Sequence, residues 1–153
     1  MKLVPMTVDY SEDIYTMSKY LLLNETHPDC PETKIGRFML GRATGHTTAL
    51  KQTADRLRKE GYRVLEVYYN TANLHMHRPN NKDRRIAITY STLVQDNSNL
   101  YRGMTRDSVP DIVLCDAYSV AEQRIRGVRE VMDELPYMFR HIFNKQTAFF
   151  FIQ

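Results

Sequence analysis

Cysteine is scarce in this chain, with two in 153 residues, Cys30 and Cys115. No disulfide framework is built from so few, so the expected compartment is a reducing cytoplasm. Long apolar runs are missing too. None approaches the roughly 20 residues that span a bilayer, so no membrane partner is expected. Asp9, Glu12 and Asp13 interrupt the N-terminal stretch, which argues against a secretory signal. Internal repeats and low-complexity segments are absent. So is a strong excess of one charge: 21 Lys and Arg against 18 Asp and Glu leave +3. That balance permits nucleic-acid contact without requiring it. What remains is an ordinary globular composition, 42% apolar and 25% charged. The length suits one domain with a real core. We read 1–35 as an N-terminal helix and loop and 36–153 as the core.

Apolar periodicity divides the chain. Residues 11–23 read as an amphipathic helix, with Ser11 as cap and Ile14, Met17 and Leu21 on one face. His27-Pro28 and Cys30-Pro31 make Asn24–Thr33 a loop. A short strand over 36–40 is followed by a helix over 47–60, with Leu50, Ala54 and Leu57 inward and Gly61 as its stop. Val64–Tyr69 is a strand, and Asn73–Asp83 is polar and aperiodic. Ile86, Ile88 and Tyr90 alternate within Arg85–Val94, which predicts a strand there, with a loop over Asn97–Val109. Asp111–Cys115 reads as a buried parallel strand, with Cys115 an enclosed thiol. Ser119 and Glu122 have capping-box spacing at the head of a helix whose stripe runs Ala121, Ile125, Val128, Met132 and Leu135, ended by Pro136. A short helix over 137–143 and an apolar strand over Thr147–Ile152 complete the pattern. Alternation of strands and helices predicts an α/β fold in three layers, a mostly parallel sheet with helices on both faces.

The chemistry concentrates in two places. Phe38-Met39-Leu40-Gly41-Arg42-Ala43-Thr44-Gly45-His46-Thr47-Thr48 sets two glycines between a strand and a helix. Glycines let backbone N–H groups approach an anion, and the helix N-terminus adds partial positive charge. Thr47 stands where such a loop offers a hydroxyl to a nucleotide-bound magnesium ion. The same spacing also serves as a purely structural turn. The second place is Ile112-Val113-Leu114-Cys115-Asp116, where an acid at the C-terminal end of a buried strand is positioned to hold magnesium. The plain alternative is a loop or cap residue.

These residues resemble a known group. Gly41–Thr48 is similar to the Walker A loop of phage terminase large subunits and related helicase-like ATPases of the P-loop class, where an Arg commonly follows the first position and the loop ends Gly-Lys-Thr-Thr. Tyr101-Arg102-Gly103 before Pro110–Asp116 is similar to the Arg-Gly pair that precedes their Walker B strand, which ends Asp-Glu. The resemblance spans 36–153. It implies ATP or GTP binding by Gly41, Arg42, Thr44, Gly45, His46, Thr47 and Thr48, with magnesium held by Asp116 and Thr47. It also implies a phage protein working in the host cytoplasm, and a C-terminal strand lying between the loop strand and the Asp116 strand. Two positions depart from the pattern. His46 replaces the Lys whose fixed charge bridges the outer phosphates. Ala117 replaces the carboxylate that activates water. Arg42 or Lys51 are candidates for replacement charge. Read to Gln153, the sequence leaves little room for a downstream phosphate sensor or a nuclease domain.

The expected function is therefore binding of a nucleotide or other phosphate with weak or no hydrolysis. Two alternatives stand beside it. One is a degenerate module that binds protein or nucleic acid instead. The other is an active ATPase with substitute residues, such as an Arg donated by a neighbouring copy in a homo-oligomer. Arg78, Arg84, Arg85, Arg102 and Arg106, near Tyr68, Tyr69, Tyr90 and Tyr101 in sequence, are the nucleic-acid candidates, against the plain reading of a solvated charged face. Arg124, Arg126 and Arg129 read as decoration of an exposed helix face. His75 and His77 read as two solvated residues of a polar loop; as the alternative they would share a face of an extended segment as a metal pair, without a third ligand nearby.

Overall fold

A computed structural model describes residues 9–25, 30–39, 45–96 and 100–153. The element order is α1 (Ser11–Leu23), a 3₁₀ turn (Pro31–Lys34), β1 (Ile35–Phe38), α2 (His46–Lys59), β2 (Val64–Tyr68), α3 (Thr71–His77), β3 (Ala87–Thr89), α4 (Tyr90–Gln95), β4 (Ile112–Cys115), α5 (Tyr118–Arg124), α6 (Val128–Phe143) and β5 (Ala148–Ile152). The five strands form one all-parallel sheet in the order β1-β5-β4-β2-β3. The C-terminal strand thus lies between β1 and β4, the order that the resemblance implies. No described helix is long and apolar enough to cross a membrane.

Side chains alternate across the pleat and divide the core in two. Leu65, Val67, Val113, Cys115, Phe149 and Phe151 pack with residues of α4, α5 and α6 on one face. Val64, Tyr68, Ile112, Leu114, Phe150 and Ile152 pack with α1 and α2 on the other. Burial on both faces explains why β4 and β5 read as continuous apolar runs. At Gly36 the approach of α1 is closest, since a Cβ there would lie 2.7 Å from Leu21 Cδ1 and 3.2 Å from a Phe150 ring carbon.

Several local expectations need correction. Ser11 does not cap α1. It is the first helical residue, and the Asp9 carboxylate accepts from its N–H at 2.9 Å and its hydroxyl at 2.5 Å. Part of the loop expected before β1 tightens into the 3₁₀ turn. The aperiodic 73–83 segment begins inside α3, which Asn70 caps by accepting from Asn73 N–H at 2.8 Å. The strand expected over 85–94 stops at Thr89, whose hydroxyl accepts the Thr92 N–H and opens α4. A local cap there overrides the alternating pattern. Ser119 and Glu122 form no capping box: α5 begins at Tyr118, after Ala117 in the left-handed region at φ 47°. The single helix expected to end at Pro136 is two helices. They part before Gly127 at φ 87°, and the second runs through a buried Pro136 to Phe143. Val128, Met132, Leu135 and Phe139 bury one stripe of α6 against the sheet, which outweighs the one hydrogen bond that proline forfeits.

Candidate functional site

The site lies where the chain leaves the C-terminal end of β4 beside the N-terminus of α2. Gly41, Arg42 and Thr44 of the glycine loop, and Ala43 between them, lie outside the described residues. Gly45 is the N-cap of α2, at φ 71° and ψ 18°, and its carbonyl accepts from Ala49 N–H at 3.0 Å. That dihedral pair is the left-handed conformation that glycine adopts without penalty. A Cβ at Gly45 would meet nothing within 4 Å among the described residues, so backbone conformation is what favours glycine there.

Two consecutive residues of α2 turn toward β4. The Thr47 hydroxyl donates to Asp116 Oδ1 at 2.9 Å across a separation of 69 residues. The His46 Nε2 lies 3.2 Å from the same oxygen. Asp116 is 1% exposed, and its other oxygen, Oδ2, is buried without a hydrogen-bond partner among the described residues. Both its backbone polar groups are fixed: its N–H donates to Val67 O at 2.8 Å, and its carbonyl accepts the buried Tyr90 hydroxyl at 2.8 Å. The carboxylate is therefore held in one place, while among the described residues half of its acceptor capacity is unused. Buried polar groups are rarely left so, because the desolvation cost is unreturned.

A carboxylate oxygen beside a threonine hydroxyl fits magnesium, which binds through one or two protein oxygens and takes its remaining ligands from phosphate and water. Among the described residues no group of three or more His, Cys, Asp or Glu gathers to hold a metal alone. His75 and His77 fall two apart on α3, not on an extended segment, so their rings do not share a face. His77 instead stacks on Tyr68, ring centroids 5.8 Å apart, within electrostatic reach of Asp116 and Lys51. Burial lowers its proton affinity below the ordinary histidine value. Thr48 is exposed. Cys115 is fully buried, and burial pushes its thiol up, so it is no nucleophile. Glu122 lies 3.7 Å from Arg129.

Sequence reasoning missed a charged network one strand away. Glu66 is completely buried in β2. Its carboxylate accepts from Arg58 Nη1 at 2.6 Å, from Arg78 Nε at 3.1 and 3.0 Å, and from the Tyr68 hydroxyl at 2.5 Å. Arg78 also pairs with Asp55 at 2.8 Å. Burial and the Glu66 charge push the Tyr68 hydroxyl pKa up. The signal was present: a carboxylate inside Val64–Tyr68 requires a buried counter-ion. Of the nucleic-acid candidates, Arg78 is thus held inside the fold and Arg84 pairs with Asp96 at 2.7 Å. Arg85 donates to the Arg102 carbonyl at 3.3 Å, and Arg102 and Arg106 are exposed.

Comparison with known protein families, with curated proteins and with solved structures finds no match for this chain.

Proposed function

We propose that this protein binds the phosphates of a nucleotide, with magnesium, at the N-terminus of α2, and hydrolyses it weakly or not at all. The observation that carries the reading is the convergence of Thr47 and His46 on the buried Asp116, with one carboxylate oxygen unpartnered among the described residues. The Thr47 hydroxyl and Asp116 Oδ2 would hold the ion. Backbone N–H groups at the start of the 14-residue α2 would face the phosphates, where the helix terminus favours negative charge. The strand order supports the same reading, because it places β5 between the loop strand and the Asp116 strand, as in the resemblance to P-loop ATPases.

The chemistry these side chains supply is binding and orientation. Ala117 offers no proton acceptor, and its left-handed backbone steers the chain straight into α5. Glu122 is turned to Arg129 and Glu66 is enclosed by two arginines. Phosphoryl transfer depends on electrostatic stabilisation of the transferred group, and loss of one donor typically costs on the order of 100- to 1,000-fold in rate. Thermal unfolding with ATP or GTP, with and without magnesium, tests the reading. Ligand at about 100 times its dissociation constant adds about 2.7 kcal/mol, or roughly 5–10 °C for a chain of this size. No magnesium-dependent shift with either nucleotide would refute it.

A further inference from the structure

A second site lies at the opposite end of the sheet. Cations stand within three residues of the start of four of the five strands: Lys34 before β1, Lys145 before β5, Arg63 before β2 and Arg85 before β3. In sheet order the row reads Lys34, Lys145, Asp111, Arg63, Arg85, with one acid. At the usual strand spacing of ~4.8 Å it runs about 19 Å. Asp83 lines the cleft and Asp107 stands exposed beside Arg106, so the acids here offset part of this charge, and arginines outnumber them. Asp111 pairs with Lys145 at 2.5 Å and accepts the Arg63 N–H at 2.7 Å, and Asp83 accepts the Arg85 N–H at 2.9 Å. The guanidinium groups of Arg63, Arg85, Arg102 and Arg106 are exposed, and none has an acidic partner among the described residues. Arg63 and Arg85 line a cleft of about 350 Å³ together with Tyr62, Ile86 and Ser108. Tyr62 is half-buried, and Ile86 is 38% exposed.

We infer that this end of the sheet is a binding surface for single-stranded nucleic acid. The phosphates run along Arg63, Arg85, Arg102 and Arg106, and a base enters the cleft against Tyr62 and Ile86. Exposed arginines beside a recess that offers a tyrosine ring are an arrangement that holds a single strand without reading its sequence. An acidic protein would find the same charges but no use for the recess. The surface is made of residues far from Asp116, and the inference does not depend on nucleotide binding there.

The test is fluorescence anisotropy of labelled oligo-dT and oligo-U of roughly 12 nucleotides, a length within the usual site size. Neutralising three to four phosphates should give a log–log salt slope of about −2 to −3, from about −0.7 per phosphate for single strands. The Arg63→Glu/Arg85→Glu variant should bind at least tenfold more weakly with a shallower slope. Arg126→Glu, an exposed cation just before α6, should change affinity less than twofold. Because Arg85 also holds the Arg102 carbonyl, Arg63→Glu/Arg106→Glu serves as a second variant, and circular dichroism confirms that each is folded. Gly45→Val should leave oligonucleotide affinity unchanged, which separates this surface from the Asp116 site. The inference is overturned if the wild type does not bind either oligonucleotide, if Arg126→Glu weakens binding as much as the paired reversals, or if poly-glutamate competes as well as the oligonucleotide does.

Discussion

Replacing Asp116 by Asn is expected to stabilise the ligand-free protein while removing magnesium-dependent binding. Asp116 is 1% exposed, and Oδ2 has no hydrogen-bond partner among the described residues. An unsatisfied buried polar group costs about 1–3 kcal/mol, and more when charged. Asn keeps the shape and retains an oxygen for the Thr47 hydroxyl, which now donates at 2.9 Å. What is lost is the charge reinforcement of that bond and of the His46 contact at 3.2 Å, about 1 kcal/mol at the difference between charged and neutral hydrogen bonds. Asn leaves its amide N–H groups unpartnered in the place of Oδ2, so the charge alone is relieved; that relief exceeds the loss, for a net gain of about 1–2 kcal/mol, or roughly 2–8 °C in Tm at this chain length. Urea unfolding and calorimetry of the ligand-free variant measure the gain, and the same scans with magnesium-ATP should show a shift for the wild type alone. Such opposition between stability and function marks a binding residue. If Asp116→Asn instead lowers ligand-free stability by more than about 1 kcal/mol, the carboxylate is a structural partner of His46 and Thr47, and the reasoning fails.

Other outcomes follow from single contacts. Gly36→Val should destabilise by about 1–3 kcal/mol in urea unfolding, because its side chain meets Leu21 where α1 crosses β1. Ala117→Gly should stabilise by up to about 1 kcal/mol, since glycine takes the observed φ of 47° without the left-handed penalty; a loss would show that the alanine methyl packs productively. Arg78→Ala should cost about 2–4 kcal/mol in the same assay, leaving Glu66 buried with Arg58 as its one remaining cation. His77 carries a proton affinity lowered by burial, so its folded pKa lies below the unfolded value near 6.5. Its contribution is complete above that value and is lost as pH falls toward the folded pKa, so His77→Gln should flatten the fall of stability on the acid side of pH 6.5.

The architecture was legible where one physical signal dominated. Asp111–Cys115 and Thr147–Ile152 are apolar without alternation, which is what burial on both faces requires, and both became central strands. The 11–23 helix came directly from the spacing of Ile14, Met17 and Leu21. Errors arose where a local hydrogen bond or a backbone dihedral decided. Thr89 switches a strand pattern into a helix with one hydroxyl, and Gly127 splits a continuous apolar stripe. Pro136 misled because a buried stripe outweighs one absent N–H. At the site, Thr47 and Asp116 could be paired only through the strand–loop–helix pattern, and the geometry brings them together. His77 reads in the sequence as a solvated loop residue, with a metal pair as the alternative, and nothing in a polar segment signals that its ring stacks on Tyr68 near Asp116. The Glu66 network was marked by its own improbability, although its partners at Arg58 and Arg78 emerge only from the fold.

Titration of isotopically labelled protein with magnesium-ATP, followed by backbone amide chemical shifts, tests the central claim most directly. The account predicts saturable shifts largest at the amides of Gly45, His46, Thr47 and Thr48, with Asp116 following only when magnesium is present, because backbone N–H groups meet the phosphates and the carboxylate meets the ion. Amides that stay unmoved at Gly45–Thr48 while nucleotide binds elsewhere, or that do not move with any nucleotide, would contradict it.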